Sequence, residues 1–399
     1  MKFEKKNNFY KILMIIVVTA LVTFLLSSIA FYNYYLKTDN GNIKALSKYI
    51  SISDSTNILE KKIEILKKYL ENEYMGELDE ENMLQGALKG YVEGLGDDYT
   101  EYLTEDDLED LMTSVNGNYV GIGIYMTQND NGDIIVLLPI EGSPAEEADI
   151  KAEDIILKVN GIECNGLELN EVANLVKGEE GSKVKLEIQR NEEIFEVEVE
   201  RRTVELKYIE SKVLDNNIGY IQMLSFEEGI SDKLKEEIEN LKKQNVKSII
   251  IDVRDNGGGL VTEAIAVCEI FVPAGKVILK SYDKDNNETI TKSTAINTEN
   301  LEIVLLVNEN SASATEIFAA AMKDNNLATI IGTKTFGKGV MQEVQPLTIG
   351  GALKITIEEF KTPNDSKIHK IGVTPDIEVE NENLGKDNQL NKAIEFLNK

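Results

Sequence analysis

Between Lys11 and Lys37 the chain carries 25 residues without a formal charge, apolar on every helical face, which a helix packed in a water-soluble core has no need to be. Its most apolar part is Ile12 to Phe31, and at about 1.5 Å per residue that run covers the ~30 Å hydrocarbon core of a bilayer. Four lysines against one glutamate in the first eleven residues put the N-terminus on the cytoplasmic side, and Tyr32, Tyr34 and Tyr35 suit the far interface. The sequence therefore predicts a cytoplasmic tail over 1–11, a single transmembrane helix over 12–36, and a cell-membrane protein whose remainder lies outside the cytoplasm. A signal peptide cleaved near Ser28-Ile29-Ala30 is the alternative, although the run exceeds the roughly 7–15 residues of a usual signal core.

At ~150 residues per domain, 399 residues leave room for two to three domains. Lys plus Arg total 42 against 70 Asp plus Glu, a net charge of −28, so no field attracts phosphates and nucleic acid is excluded as a partner. Two cysteines and one histidine exclude a disulfide framework and a His/Cys zinc site. No metal and no cofactor is expected. The acidic turns at 129–133 and 283–288 lack the glycine and distant glutamate of an EF-hand loop. The chemistry has to work without imidazole, since His369 sits in a polar stretch far along the chain from the motifs below and reads as a surface or loop residue.

Residues 40–112 read as a helical segment. Ile58, Leu59, Ile63, Leu66 and Leu70 recur at helical spacing behind a cap at Asp54-Ser55-Thr56, Gly94 and Gly96 break the pattern, and Leu103, Leu108 and Leu111 resume it. Such a segment suits a small bundle or an arm that joins two copies into a homodimer. At Val115 the texture changes to short strands and turns, with a strand at Tyr119–Met126, another at Ile134–Leu138, and a third ending at the Asn160-Gly161 turn, which has type I′ chemistry. A short helix at Leu169–Val176 and two further strands complete residues 113–202. Carried by Tyr119-Val120-Gly121-Ile122-Gly123-Ile124 and by Gly142-Ser143-Pro144-Ala145 to Asn160-Gly161, this span resembles a PDZ domain, a β-rich peptide-binding module. Asp149 and Glu153 stand where that pattern usually has glycine. The resemblance implies that Gly121, Ile122, Gly123 and Ile124 cup a peptide carboxylate beside a strand edge that accepts an extended chain.

Residues 203–399 alternate strand and helix, which predicts an α/β domain. Strands are expected at Ile218–Phe226, Ser248–Val253, Leu301–Val307, Thr329–Gly332, Val340–Pro346 and Ala352–Phe360, and helices at Ser231–Gln244, Leu260–Phe271 and Ser313–Asn325. Three places could carry chemistry. Gly257-Gly258-Gly259 follows an apolar strand and opens a helix, so its amides suit a phosphate or an oxyanion equally. Asp252 and Arg254 beside it read as a structural pair. Gly332 to Gly339 nearly matches a phosphate loop but ends in glycine and runs on into a strand, which removes the magnesium hydroxyl and the helix that nucleotide binding needs. Lys338 within it reads by itself as a solvated surface lysine, and the alternative is that the apolar Phe336 and Val340 strip its hydration and with it basicity. Ser313 with Glu316 has capping-box spacing, which alone favours a helix cap, and a serine at a strand-to-helix junction can serve as a nucleophile as well.

Together these sites resemble the C-terminal processing peptidases, or tail-specific serine proteases, from Gly96-Asp97-Asp98-Tyr99-Thr100-Glu101-Tyr102-Leu103 through to Gly372-Val373-Thr374-Pro375-Asp376. Asp98, where a proline is common in the family, departs from the pattern and is expected outside the chemistry. The resemblance implies a protease domain with a mixed sheet of the crotonase/ClpP kind, Ser313 as nucleophile, and Lys338, 25 residues later, as general base. It further implies Gln342 as the group orienting that lysine, an oxyanion hole built at Gly258, Gly259 and Ala314, and a role in some members for the position of Asp324. The function so implied is a membrane-anchored serine endopeptidase that takes protein substrates by accessible C-termini and cleaves through an acyl-enzyme. The alternative is a catalytically inert, membrane-tethered PDZ scaffold.

Overall fold

The computed structural model describes residues 55–399 apart from 117, 130, 297, 300 and 382–384. The transmembrane expectation over 12–36 lies outside the described residues, among which no helix is long and apolar enough to cross a membrane. The chain divides at Met83. Before it come helix α1 (Ser55–Glu73) and the opening of α2 (Glu80–Glu93); α1 leaves Ile58, Leu59, Ile63, Ile65, Leu66 and Tyr69 exposed. Leu84–Lys399 forms the second unit.

That unit opens with a departure from the helical reading of 40–112. Strand β1 (Glu101–Leu103) interrupts the helices before α3 (Glu105–Asn116), and three residues are too few to show a strand period. A second difference follows in the PDZ-like part. The single strand expected over Tyr119–Met126 is two, β2 (Asn118–Gly121) and β3 (Ile124–Gln128). Gly123 separates them at φ 79°, where a Cβ would lie 2.3 Å from the Cβ of Ser143. Next come β4 (Ile134–Pro139), α4 (Pro144–Glu147), β5 (Ile155–Val159), β6 (Ile162–Glu163), α5 (Leu169–Val176), β7 (Lys183–Arg190), β8 (Glu193–Glu200) and β9 (Arg202–Glu205). The order β3-β4-β5-β7-β8 leaves β3 at the sheet edge, packed over a core that includes Ile134, Val136, Ile156, Leu186 and Ile188. Asp149 and Glu153 have φ of 61° and 71°, which explains why glycine suits those positions. Asn160 and Gly161 also have positive φ, as a type I′ turn requires.

The α/β part contains β10 (Ile209–Leu214), β11 (Ile218–Met223), α6 (Ile230–Lys243), β12 (Ser248–Asp252), α7 (Val261–Phe271), β13 (Val277–Asp283), β14 (Glu288–Lys292), β15 (Glu302–Val307), α8 (Ala314–Asp324), β16 (Thr329–Gly332), β17 (Val340–Pro346), β18 (Ala352–Lys361), β19 (Ile377–Glu378) and α9 (Asn388–Leu397). The main sheet runs β10-β11-β12-β15-β16-β19, parallel from β11 onward with β10 antiparallel at its edge, so the sheet is mixed. Strands β12 and β15 are almost wholly buried, as a parallel sheet covered on both faces requires. One face packs on α6, α7 and α8. A smaller core, including Tyr220, Ile250 and Val304 with α9, covers the other. Arg254 bridges the buried Asp252 and Asp387 before α9, so Asp252 and Arg254 are a structural pair. A second sheet, β1-β18-β13-β14 with β17 on β18, carries β1 into the α/β unit through Glu101–Lys354, Tyr102–Leu353 and Leu103–Ala352. Cys164 and Cys268 are buried free thiols.

Candidate active site

Parallel strands point their C-terminal ends at one edge of the sheet, and the loops after β12 and β15 meet there. Ser313 is the N-cap of α8 and holds φ 58° and ψ −117°, a conformation that costs a non-glycine residue about 1–3 kcal/mol. Glu316, fully buried, supports it: its Oε2 accepts the Ser313 N–H at 2.9 Å. The Glu316 N–H in turn donates to the Ser313 carbonyl at 2.8 Å.

The glycine loop is pressed against this turn. A Cβ on Gly258 would lie 2.8 Å from the Ala312 carbonyl oxygen, 2.9 Å from the Ser313 Cβ and 3.0 Å from the Ala314 nitrogen. Asn256, fully buried, fixes the loop, its Oδ1 accepting from the Gly258 N–H and the Thr315 hydroxyl, both at 2.9 Å. The Gly258 N–H is therefore already spent. The Gly259 and Ala314 N–H groups donate to no described protein acceptor.

Glu316 also builds the lysine's position. Its Oε1 accepts the Thr335 hydroxyl at 2.6 Å and the Gly337 N–H at 2.8 Å, while Oε2 accepts the Lys338 N–H at 2.8 Å. One carboxylate thus ties the serine turn to the lysine loop. The capping-box spacing pointed to the first tie, and no local signal pointed to the second. Lys338 is half-buried, and its pKa is lowered chiefly by loss of water and then by the Lys354 charge, against the pull of Glu101, Asp97 and Glu316. Its Nζ lies 5.0 Å over the Tyr99 ring, and no hydrogen bond joins it to Ser313 Oγ. Gln342 follows the bulge in β17 and keeps a buried Nε2 without a hydrogen-bond partner. Asp324 lies at the far end of α8, its Oδ2 accepting the Asn364 N–H at 2.9 Å.

One sequence reading changes here. His369 is not remote: a Cβ on Gly339 would lie 2.3 Å from the His369 nitrogen, and the Lys370 N–H donates to the Gly337 carbonyl at 2.7 Å. The sole imidazole backs the lysine loop. The segment 96–103, of which only Asp98 is expected outside the chemistry, delivers Tyr99 to Lys338 because β1 pairs with β18.

In the PDZ-like part, Gly121, Ile122, Gly123 and Ile124 form the turn from β2 into β3, with Ile122 wholly buried. The Tyr119 ring lies over Gly121, where a Cβ would be 2.6 Å from Tyr119 Cε2. Its hydroxyl stands beside the backbone N–H groups of Ile124 and Gly123, and burial pushes the phenol up to about 12.

The sequence matches the model of peptidase family S41 over residues 217–379 and that of a PDZ domain over 135–190. A protein of Staphylococcus aureus (strain COL), described as a CtpA-like serine protease, is 35% identical over 373 residues, which is 93% of this chain and 73% of that one. The chain belongs to peptidase family S41. This S41 peptidase is a serine-type, C-terminal processing enzyme with a PDZ domain. An S41 protease structure from Bacteroides fragilis shares its fold, with 16% identity, a TM-score of 0.51, and coverage of 82% of this chain and 92% of that one. The photosystem II D1 C-terminal processing protease is similar as well, at 27% identity and a TM-score of 0.48 over 80% of this chain and 86% of that one.

Proposed function

We propose that this S41 peptidase is a membrane-anchored endopeptidase in which Ser313 and Lys338 form the catalytic pair. The observation that carries the pairing is the Glu316 carboxylate, which accepts the backbone N–H of both residues in the interior of the protein. Burial favours neutral Lys338, the form that can take a proton. As Ser313 Oγ bonds to the scissile carbonyl carbon, its proton passes to Lys338 Nζ and the carbonyl electron pair moves onto oxygen, facing the Gly259 and Ala314 N–H groups. The tetrahedral adduct then expels the amine, which takes the proton from Lys338. Water, deprotonated by the same lysine, hydrolyses the acyl-enzyme and frees Ser313. The buried, unpartnered Gln342 Nε2 is a donor available to orient the neutral lysine.

Substrates are delivered by their C-termini. Edge strand β3 beside α5 offers the augmentation site, and the Gly123 and Ile124 amides offer the carboxylate contact once Tyr119 moves off them. The apolar run over 12–36 supports the anchor, and the exposed apolar side chains of α1 support pairing of two copies. The test uses residues 40–399 on an unfolded protein with an apolar C-terminus, comparing wild type, Ser313→Ala and Lys338→Ala from pH 6 to 10. Cleavage by wild type that rises with pH, with both variants silent, is expected. An active Lys338→Ala variant would remove the lysine from the mechanism, and peptide binding without cleavage by wild type would favour the scaffold reading.

A further inference from the structure

We infer that Tyr99 is a positioning residue for Lys338, its ring face holding the ammonium that forms when Lys338 takes the Ser313 proton. The inference rests on the reading of Lys338 as general base. Nζ at 5.0 Å from the ring centroid is inside the ~6 Å range in which an aromatic face attracts a cation. Among the described residues no carboxylate oxygen comes within ion-pair distance of that Nζ. The distinction matters chemically. A carboxylate in contact would hold the lysine permanently protonated, whereas a ring face attracts the ammonium more weakly and leaves the neutral amine accessible.

The turn that carries the ring is fixed by hydrogen bonds, and the ring itself meets His369. The Tyr99 N–H donates to Asp97 Oδ1 at 3.3 Å, and the Thr100 hydroxyl donates to Asp97 Oδ2 at 2.5 Å, which closes a tight turn. The Thr356 N–H donates to Thr100 Oγ1 at 3.0 Å, fastening that turn to β18 just before β1 pairs with the same strand. Behind the ring stands the His369 imidazole, centroids 6.2 Å apart and planes at 66°. The charged and titratable groups around the lysine are thus Lys354 on β18, Glu101 on β1, Asp97 in the turn, Glu316 on α8, and His369 behind Tyr99. Of these, only Lys354 opposes the ammonium, and it is itself paired with Glu101 at 2.7 Å.

The proton balance gives the inference its signature. The serine O–H bond breaks, Nζ gains the proton, and the positive charge lasts until the leaving amine takes it. A group that stabilises this transient charge raises the base's pKa and lowers the barrier together. Tyr99→Leu keeps water off the lysine but loses the ring face, so kcat falls about tenfold while the acid limb of kcat/KM moves to lower pH and KM stays within about twofold. Loosened packing alone would hydrate the lysine and move the limb to higher pH. Tyr99→Phe restores both the rate and the limb, because the face and not the hydroxyl is used. Should the leucine variant fail to fold, replacing Tyr99 with phenylalanines of increasing ring fluorination drains the face at nearly constant shape, and kcat falls stepwise with each fluorine.

The measurements are pH–rate profiles of the full chain on an unfolded protein substrate, with thermal unfolding of each variant alongside. A leucine variant whose limb stays or moves up, one that is faster than wild type, a phenylalanine variant as slow as leucine, or a fluorinated series with constant kcat would each overturn the role of Tyr99. An active Lys338→Ala variant overturns the base assignment instead, whatever Tyr99 does.

Discussion

Replacing Glu316 with glutamine tests whether one buried carboxylate holds nucleophile and base in register. The side chain accepts four hydrogen bonds, two on each oxygen. If the new NH2 replaces Oε2, it meets the N–H groups of Ser313 and Lys338, and both bonds are lost. If it replaces Oε1, the Thr335 hydroxyl can turn round, but the Gly337 N–H still meets a donor. At least one buried N–H is orphaned in either orientation, at about 1–3 kcal/mol, and the remaining bonds lose their charge assistance. The expected stability loss is therefore about 2–3 kcal/mol, a few degrees in Tm. The kinetic loss should be larger in proportion, because a shift of ~1 Å between Ser313 and the Lys338 loop costs on the order of a hundredfold in kcat. KM should stay nearly unchanged, since Glu316 is shut inside the protein and touches no substrate. Cleavage of an unfolded protein, normalised to active sites titrated with an acylating inhibitor, reads kcat, and thermal unfolding reads the rest. A glutamine variant with wild-type kcat and Tm would show that the carboxylate only fills space.

Three further outcomes follow from the charges and packing. Lys354→Met removes the positive charge that lowers the Lys338 pKa and frees Glu101, which raises it; protonation then persists to higher pH, so the acid limb of kcat/KM must move up. Glu227 is buried with both carboxylate oxygens unpartnered, and burial raises its pKa from 4.5 to about 7. The folded state therefore binds its proton more tightly than the unfolded chain does, and stability is lost as pH rises from about 4.5 to 7. Glu227→Gln should match wild type near pH 4 and exceed it at pH 8 by up to about 3 kcal/mol in urea unfolding; equal stability at pH 8 would refute this. Tyr119→Phe frees the Gly123 and Ile124 N–H groups, so a peptide with a free C-terminal carboxylate should bind several-fold tighter by fluorescence anisotropy, and its amidated twin should not change.

Much of the fold could be read locally. The apolar runs that became β12 and β15 and the glycines and caps that bound α7 and α8 are signals within about ten residues, and the observed elements fall within a few residues of them. Ser313 and Lys338 stand out only through the family resemblance, since on local signals alone the serine reads as a helix cap and the lysine as a surface residue. Long-range pairing left no such trace. The segment carrying Tyr99 belongs beside Lys338 only because three residues of β1 pair with β18, about 250 positions away. His369 has the polar neighbours of a surface loop, and its packing against Gly339 follows from the return of the chain after β18. The strand over Tyr119–Met126 was read as continuous because its composition is, and only the close approach of Ser143 makes Gly123 a corner.

The two glycines around Lys338 show how fold and chemistry meet. Keeping water from a lysine's ammonium makes it a base at more moderate pH, and packing backbone or side chains close to its own backbone helps to do so. Gly337 and Gly339 permit that approach. A Cβ on Gly337, whose φ is 94°, would lie 3.0 Å from the Ile371 nitrogen, and one on Gly339 would lie 2.3 Å from the His369 nitrogen. Either would push the 369–372 loop outward, open the site behind Tyr99 and hydrate the ammonium. The glycines that make this stretch look like a phosphate loop therefore serve the opposite chemistry. On the proposed role of Lys338 they keep water from its amine instead of presenting amides to an anion, and the backbone N–H groups of 337 and 338 are turned inward to the carboxylate of Glu316.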